Sequence, residues 1–139
     1  MTGPIFVDTN IWVYALTDST DPRHAWSRRW LESLVGTPCI NGQVLREVGR
    51  TLLIKARLGE SGVRAAMDHL FTVCRSLPDN RIVFLNASRL RETHAFSYWD
   101  SLIVAAALEG DCATLASEDM QHGQAIEGVL TILNPFVEA

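Results

Sequence analysis

Three cysteines, no glycine-rich nucleotide loop, no long apolar run and a shortage of positive charge narrow what this sequence of 139 residues can be. Cys39, Cys74 and Cys112 are an odd number at wide spacings, with no short pair of the kind that zinc sites use and no disulfide framework. Each sits in or beside an apolar segment, so all three read as buried, reduced thiols. No apolar run approaches the roughly 18 residues that a membrane span needs. Met1-Thr2-Gly3-Pro4-Ile5 lacks the basic-then-apolar profile of a secretory signal. A soluble, cytoplasmic protein without a membrane partner is therefore expected. Lys and Arg total 12 against 16 Asp and Glu, for a net charge of −4. That balance gives no hint of a general polyanion binder, which attracts phosphate through basic side chains. An acidic protein that handles RNA needs a local source of positive charge, either a bound metal ion or a cluster of arginines. Gly59-Glu60-Ser61-Gly62 has neither the preceding strand nor the spacing of a phosphate-binding loop. Repeats, low-complexity tracts and linkers are missing too. With 47% hydrophobic and 20% charged residues, the sequence fits one domain, 1–139, around one sizeable core.

What is present alternates between strand and helix. Pro4-Ile5-Phe6-Val7 is a short apolar run ending at Asp8, the profile of a buried parallel strand. A helix is expected from about Asn10 to Leu16. Ser19-Thr20-Asp21-Pro22 reads as a cap with proline at the first helical position. The helix that it opens carries Ala25, Trp26, Trp30, Leu31 and Leu34 on one face. Thr37–Ile40 is a second strand, and Val44, Leu45, Val48 and Leu52 mark a helix running to about Arg57. Another helix spans about Ser61 to Ser76, and Arg81-Ile82-Val83-Phe84-Leu85 reads as the third strand. Two helices follow, of which Tyr98–Leu108 is apolar almost all round and should be buried. Ala113–Ser117 and Leu130–Leu133 complete five strands. This alternation means an α/β domain on a parallel sheet with helices on both faces, and in such sheets function collects beyond the C-terminal strand ends.

Four acids fall at telling places. Asp8 closes the first strand, Asp119 lies just past the fourth, Asp100 opens the buried helix, and Glu47 edges the apolar stripe of the third helix. Singly, each has an ordinary explanation. Asp8 or Asn10 caps a helix, Ser97 and Asp100 form a variant capping box, Asp119 caps a short turn, and Glu47 pairs with Arg50. Asp100 resists this treatment most, because a carboxylate on an otherwise apolar helix requires a compensating partner. If the four converge to separations of about 6 Å, each pair repels by roughly 3 kcal/mol at an effective dielectric near 20. A cation or raised pKa values must then relieve them. All-oxygen ligands suit Mg²⁺ or Mn²⁺, not zinc, and such an ion supports phosphodiester hydrolysis.

The segments Phe6-Val7-Asp8-Thr9-Asn10, Val44-Leu45-Arg46-Glu47-Val48, Tyr98-Trp99-Asp100-Ser101-Leu102-Ile103 and Ser117-Glu118-Asp119 resemble, in order and spacing, those of the PIN domain, above all its VapC-type toxin branch. The resemblance runs from Phe6 to about Phe136. It implies a three-layer α/β/α fold with a five-stranded parallel sheet in the order 3-2-1-4-5. It also implies a metal-dependent endoribonuclease that uses water as nucleophile. On that pattern Asp8 and Asp100 hold the metal, Asp119 joins them directly or through water, and Glu47 orients or deprotonates the attacking water. Thr9, Asn10 and Ser117 are the donors that fix the carboxylates, and Glu118 is a less certain member than Asp119. The family pattern further implies a VapB-type antitoxin, whose tail occupies the groove, and a homodimer.

Arg46 and Arg50 flank Glu47 on its helix and are candidate contacts for RNA phosphates, with exposed helix arginines as the ordinary alternative. Trp12, Trp26 and Trp30 are candidates for the partner's groove, although core packing explains Trp26 and Trp30 better. His122 reads as a surface residue. Asn10, standing two residues after Asp8, argues against a phosphatase that forms an aspartyl-phosphate, and Asn86 at the end of the presumed third strand argues against a phosphoacceptor domain. The remaining rival is a PIN-like module that binds RNA or protein without cutting. A DNA nuclease of the flap type is weaker, since it carries further acids and insertions.

Overall fold

The computed structural model describes residues 3–137. Its strands are β1 (Ile5–Val7), β2 (Cys39–Asn41), β3 (Arg75–Leu77), β4 (Thr114–Ala116), β5 (Ala125–Ile126) and β6 (Leu130–Leu133). The helices are α1 (Thr9–Leu16), α2 (Pro22–Glu32), α3 (Gly42–Ile54), α4 (Glu60–Val73), α5 (Arg81–Thr93) and α6 (Tyr98–Glu109). The sheet runs β3-β2-β1-β4-β6-β5, parallel throughout except for β5, which pairs antiparallel with β6. Phe6 lies opposite Cys39 on one side and Leu115 on the other, and Leu115 lies opposite Ile132. This row is buried from end to end. Taking each large side chain of that row out of water contributes roughly 1.5–3 kcal/mol.

Polar caps set where the helices begin. Asp21 accepts from the Arg23 amide with Pro22 at the first helical position, as the sequence leads one to expect. Asn41 Oδ1 accepts from Val44 N (3.0 Å), Asn80 Oδ1 from Val83 N (3.1 Å) and Ser97 Oγ from Asp100 N (3.1 Å). Helix α6 is buried at every position from Ser101 to Ala107, in line with its apolar sequence. The three cysteines are buried and form no disulfide.

The third strand departs from expectation. Arg81–Leu85 is the first turn and a half of α5, and the strand is Arg75–Leu77, inside what reads as the end of the preceding helix. A short apolar run fits a strand or a buried helix equally well. The Asn80 cap decides for helix, with Val83, Ala87 and Leu90 turned inward. Strand β3 lies at the sheet edge and buries only Leu77, so it carries no apolar run to announce it. Asn86 is therefore helical and does not stand at a strand end. The phosphoacceptor reading still fails, because β3 ends on apolar Leu77 at an edge of the sheet. The five strands expected thus become six. Strand β5 is the extra one, made by a tight turn at Glu127 (φ 52°) and Gly128 (φ 70°), with Val129 N donating to Ile126 O (3.1 Å).

Candidate active site

The central strands deliver two acids to one end of the sheet. Ladder pairing continues past β1, with Asp8 N donating to Ala116 O (2.9 Å), and past β4, with Ser117 N donating to Leu133 O (2.9 Å). Asp8 and Ser117 therefore leave the sheet side by side, and Ser117 Oγ donates to Asp8 Oδ2 (2.9 Å). The other oxygen, Oδ1, accepts from Thr9 N (2.8 Å) at the start of α1. Asp8 is thus a helix cap and a member of the cluster at once, one oxygen for each.

Helix α1 then ties in two more acids. Thr9 Oγ1 donates to Glu47 Oε2 (2.8 Å) on α3, and Asn10 Nδ2 donates to Asp119 Oδ2 (2.9 Å) beyond β4. Gln43, one turn before Glu47, donates to Glu47 Oε1 (3.2 Å) and to the carbonyl oxygen of Trp99 (3.2 Å). The Glu47 carboxylate is therefore held by Thr9 and Gln43, not by Arg50. Asp100 sits in the first turn of α6, where Ser97 caps its amide.

The carboxylates lie near enough to bear on one another's charge. Burial pushes the Asp8 carboxyl from 3.8 up to about 6. The hydrogen bonds from Thr9 and Ser117 pull it back, and the charges of Glu47 and Asp100 push it further up. Asp100 is also raised, first by burial and then by Asp119 and Glu47, against the lowering hydrogen bond to Ser97. All four predicted acids are thus brought together, along with Thr9, Asn10 and Ser117. Among the described residues, no three acidic, histidine or cysteine side chains stand gathered as a ready-made ligand set.

Glu118 is drawn elsewhere. Arg23 Nη1 donates to it (2.7 Å) and Tyr14 Oη donates to it (3.0 Å), while Arg23 also binds Asp21 (2.6 Å). Burial and the bond to Glu118 push the Tyr14 hydroxyl up to about 12. This network fastens the Ser117–Asp119 segment to α1 and α2.

Arg46 and Arg50 are exposed on α3 and line a groove of about 840 Å³ beside Glu47, together with Phe84, Tyr98 and Trp99. Trp12 is buried, its indole N–H donating to Val7 O (3.1 Å). Trp26 stacks on Trp30, which packs against the core. His122 is exposed, and its Nδ1 accepts from Asn134 N (2.9 Å). Gln43 and the aromatic groove stand beyond the residues that the sequence singles out. Gln43 had a signal, the four-residue spacing to Glu47 on a helix, whereas the groove exists only once α5 and α6 are placed.

The PIN domain family model matches residues 5–125, and the chain belongs to that family. No curated protein matches it. Among solved structures it is similar to VapC20 of Mycobacterium tuberculosis, described as a toxin that cleaves the sarcin-ricin loop. The TM-score is 0.66 at 23% identity, covering 80% of this chain and 86% of that one. A toxin–antitoxin complex from Klebsiella pneumoniae matches with a TM-score of 0.72 at 18% identity, over 94% and 97% of the two chains. FitAcB from Neisseria gonorrhoeae matches at 0.65 and 18%, over 95% and 98%. At these identities the likeness is one of fold.

Proposed function

We propose that this protein is a metal-dependent endoribonuclease of the VapC type, the toxin half of a toxin–antitoxin pair. The observation that carries the reading is the gathering of Asp8, Glu47, Asp100 and Asp119 from four separate segments into one electrostatically coupled cluster. A fold does not keep such repulsion for its own stability. The donor set is all oxygen, which fits Mg²⁺ or Mn²⁺. Asp8, Asp100 and Asp119 would hold the ion. What the ion supplies when bound is charge neutralisation and Lewis acidity toward the scissile phosphate. Ser117 and Asn10 aim the carboxylates of Asp8 and Asp119 through the hydrogen bonds already described. Glu47, fixed by Thr9 and Gln43, takes the proton of the attacking water. Arg46 and Arg50 contact flanking phosphates and supply the positive charge that the chain lacks overall.

The partners follow the same reading. An antitoxin tail with a basic side chain suits the acidic cluster, and the solved neighbours include toxin–antitoxin complexes. Helix α5 leaves Ile82 and Leu85 each about half exposed on one side, an apolar face that suits a second copy of the chain. Leu85→Glu is expected to shift a dimer to monomer in sedimentation without unfolding it; an unchanged mass would remove α5 from the interface. The toxin reading also carries a cytoplasmic location. The described residues include no helix long and apolar enough to cross a membrane.

The direct test is cleavage of a mixed RNA pool by purified, antitoxin-free protein. Cutting is expected with Mg²⁺ or Mn²⁺ and not with EDTA or with Asp100→Asn. A folded protein that binds RNA, never cuts it and is indifferent to metal would instead be the non-catalytic module.

A further inference from the structure

Glu118 stands between two members of the acid site, Ser117 and Asp119, and its side chain turns away from both toward α1 and α2. There each carboxylate oxygen has its own donor, Arg23 Nη1 on Oε1 (2.7 Å) and Tyr14 Oη on Oε2 (3.0 Å). The donors are themselves held. Arg23 Nη2 and Nε both donate to Oδ2 of Asp21 (2.6 and 3.1 Å), the residue that caps α2. The guanidinium lies over the Tyr14 ring at 4.8 Å, and that ring meets Phe136 edge-on at 5.5 Å. The main chain is tied as well, with Asn134 Nδ2 donating to Glu118 O (3.3 Å). Asp119 N donates to Ser117 Oγ (3.3 Å), and the same hydroxyl donates to Asp8 Oδ2 (2.9 Å). With a lone pair engaged by the Asp119 amide, the Ser117 hydroxyl proton is directed at Asp8.

We propose that Arg23 and Tyr14 are positioning residues for the metal site, acting through Glu118 on the segment that aims Ser117 at Asp8 and presents Asp119. The inference rests on the nuclease reading, in which Asp8 and Asp119 would hold the ion. As a source of stability the Arg23–Glu118 pair is poor, since Arg23 is 42% exposed and solvent screens such pairs. As a restraint it is well made. The double grip on Asp21 fixes the plane of the guanidinium, so Nη1 meets Glu118 from one direction only. Two adjacent acids follow β4, and donors on opposite sides sort them: Arg23 and Tyr14 take Glu118, and Asn10 takes Asp119 (2.9 Å). Without the first pair of donors, Glu118 is released to compete for the cation, and the backbone beneath Asp119 loses its anchor. Groups that orient metal ligands are typically worth 10–100-fold in metal affinity, and Arg23, one step further out, belongs at the lower end.

The test is Mn²⁺ binding to the full chain by calorimetry, without RNA, in Arg23→Gln, Glu118→Gln and the double variant. Each single variant should weaken binding about tenfold. The double variant should be no weaker than either, because both changes break one connection. Charge alone gives a different pattern: losing a cation beside the acids tightens Mn²⁺, and losing an anion loosens it. Tyr14→Phe, which keeps the ring and removes the donor, should lose less than Arg23→Gln. In cleavage, the Mn²⁺ needed for half-maximal rate should rise about tenfold in both single variants, with the rate at saturating Mn²⁺ close to wild type. Arg28→Gln breaks a pair of similar exposure on the same helix, that with Asp18 (3.2 Å), and should bind Mn²⁺ as wild type does. If Arg23→Gln binds Mn²⁺ as tightly as wild type or more so, the positioning role is overturned while the nuclease reading stands. If Arg28→Gln loses as much affinity as Arg23→Gln, the loss reports a loosened α2, and the proposal is again overturned. If wild-type protein neither binds Mn²⁺ nor cuts RNA, the nuclease reading fails and takes the proposal with it.

Discussion

Asp8→Asn is expected to make the metal-free protein more stable at pH 8 while abolishing metal-dependent cleavage. The Asp8 carboxyl has an ordinary value of 3.8 and is raised to about 6 in the fold. The folded state therefore holds the proton more tightly than the unfolded chain does. Below pH 3.8 both states are protonated, and Asp8 contributes its full share of stability. That share is lost as the pH rises through about 6, because the fold must then bear a buried charge near Glu47 and Asp100. The interval between 3.8 and about 6 corresponds to roughly 2–3 kcal/mol at pH 8, an order-of-magnitude figure. Asparagine removes the charge and keeps the bonding pattern: its oxygen still accepts from Thr9 N, and its amide can donate to Ser117 Oγ. Thermal unfolding in EDTA should show Asp8→Asn melting roughly 5–10 °C above wild type at pH 8, with the gap closing toward pH 4. Added Mg²⁺ should raise the wild type and leave the variant almost unmoved, since only a protein that binds the ion gains from it. A variant that melts below wild type at pH 8 in EDTA would mean that Asp8 is there for structure and that the repulsion argument is wrong.

The same residue shows why the site was more legible in sequence than parts of the fold. A buried parallel strand ending in an acid is a conflict between neighbours in the chain, and so is a carboxylate opening helix α6. Such conflicts are local and can be read without coordinates. The third strand offered no conflict. Arg75–Leu77 is exposed along one edge and looks like a helix end, while Ile82-Val83-Phe84-Leu85 looks like a strand because α5 keeps apolar residues on its outer face. Strand β5 is two residues long and exists because Glu127 and Gly128 adopt positive φ, which no periodicity reports. Glu118 and Asp119 show the limit at finer scale. They are adjacent acids after one strand, and only the positions of Arg23, Tyr14 and Asn10 separate the structural one from the one in the cluster. The Trp99 groove lies further out of reach, since it joins residues from α3, α5 and α6.

Glu47→Gln is expected to slow cleavage by about 10²–10⁴-fold, the usual worth of a positioned general base, and to leave Mg²⁺ affinity close to wild type. Glu47, like Asp119, lies at the exposed rim of the cluster. It is exposed where Asp8 and Asp100 are partly covered, and both of its oxygens already accept hydrogen bonds, from Thr9 Oγ1 (2.8 Å) and Gln43 Nε2 (3.2 Å). Those bonds fix the carboxylate's orientation at the rim, where water has access. Glutamine keeps the length and the acceptor for Thr9 but cannot take a proton, so chemistry should fail while assembly survives. Asp8→Asn should do the reverse in calorimetry, losing the ion as well as the rate. Thr9→Val should shift rate in the same direction as Glu47→Gln but by only about tenfold, because the carboxylate then keeps one of its two anchors. If Glu47→Gln costs as much Mg²⁺ affinity as Asp8→Asn, then Glu47 is a ligand, and the proton must go to another group. If it costs neither rate nor affinity, then Thr9 and Gln43 hold Glu47 for the stability of the α1–α3 contact alone.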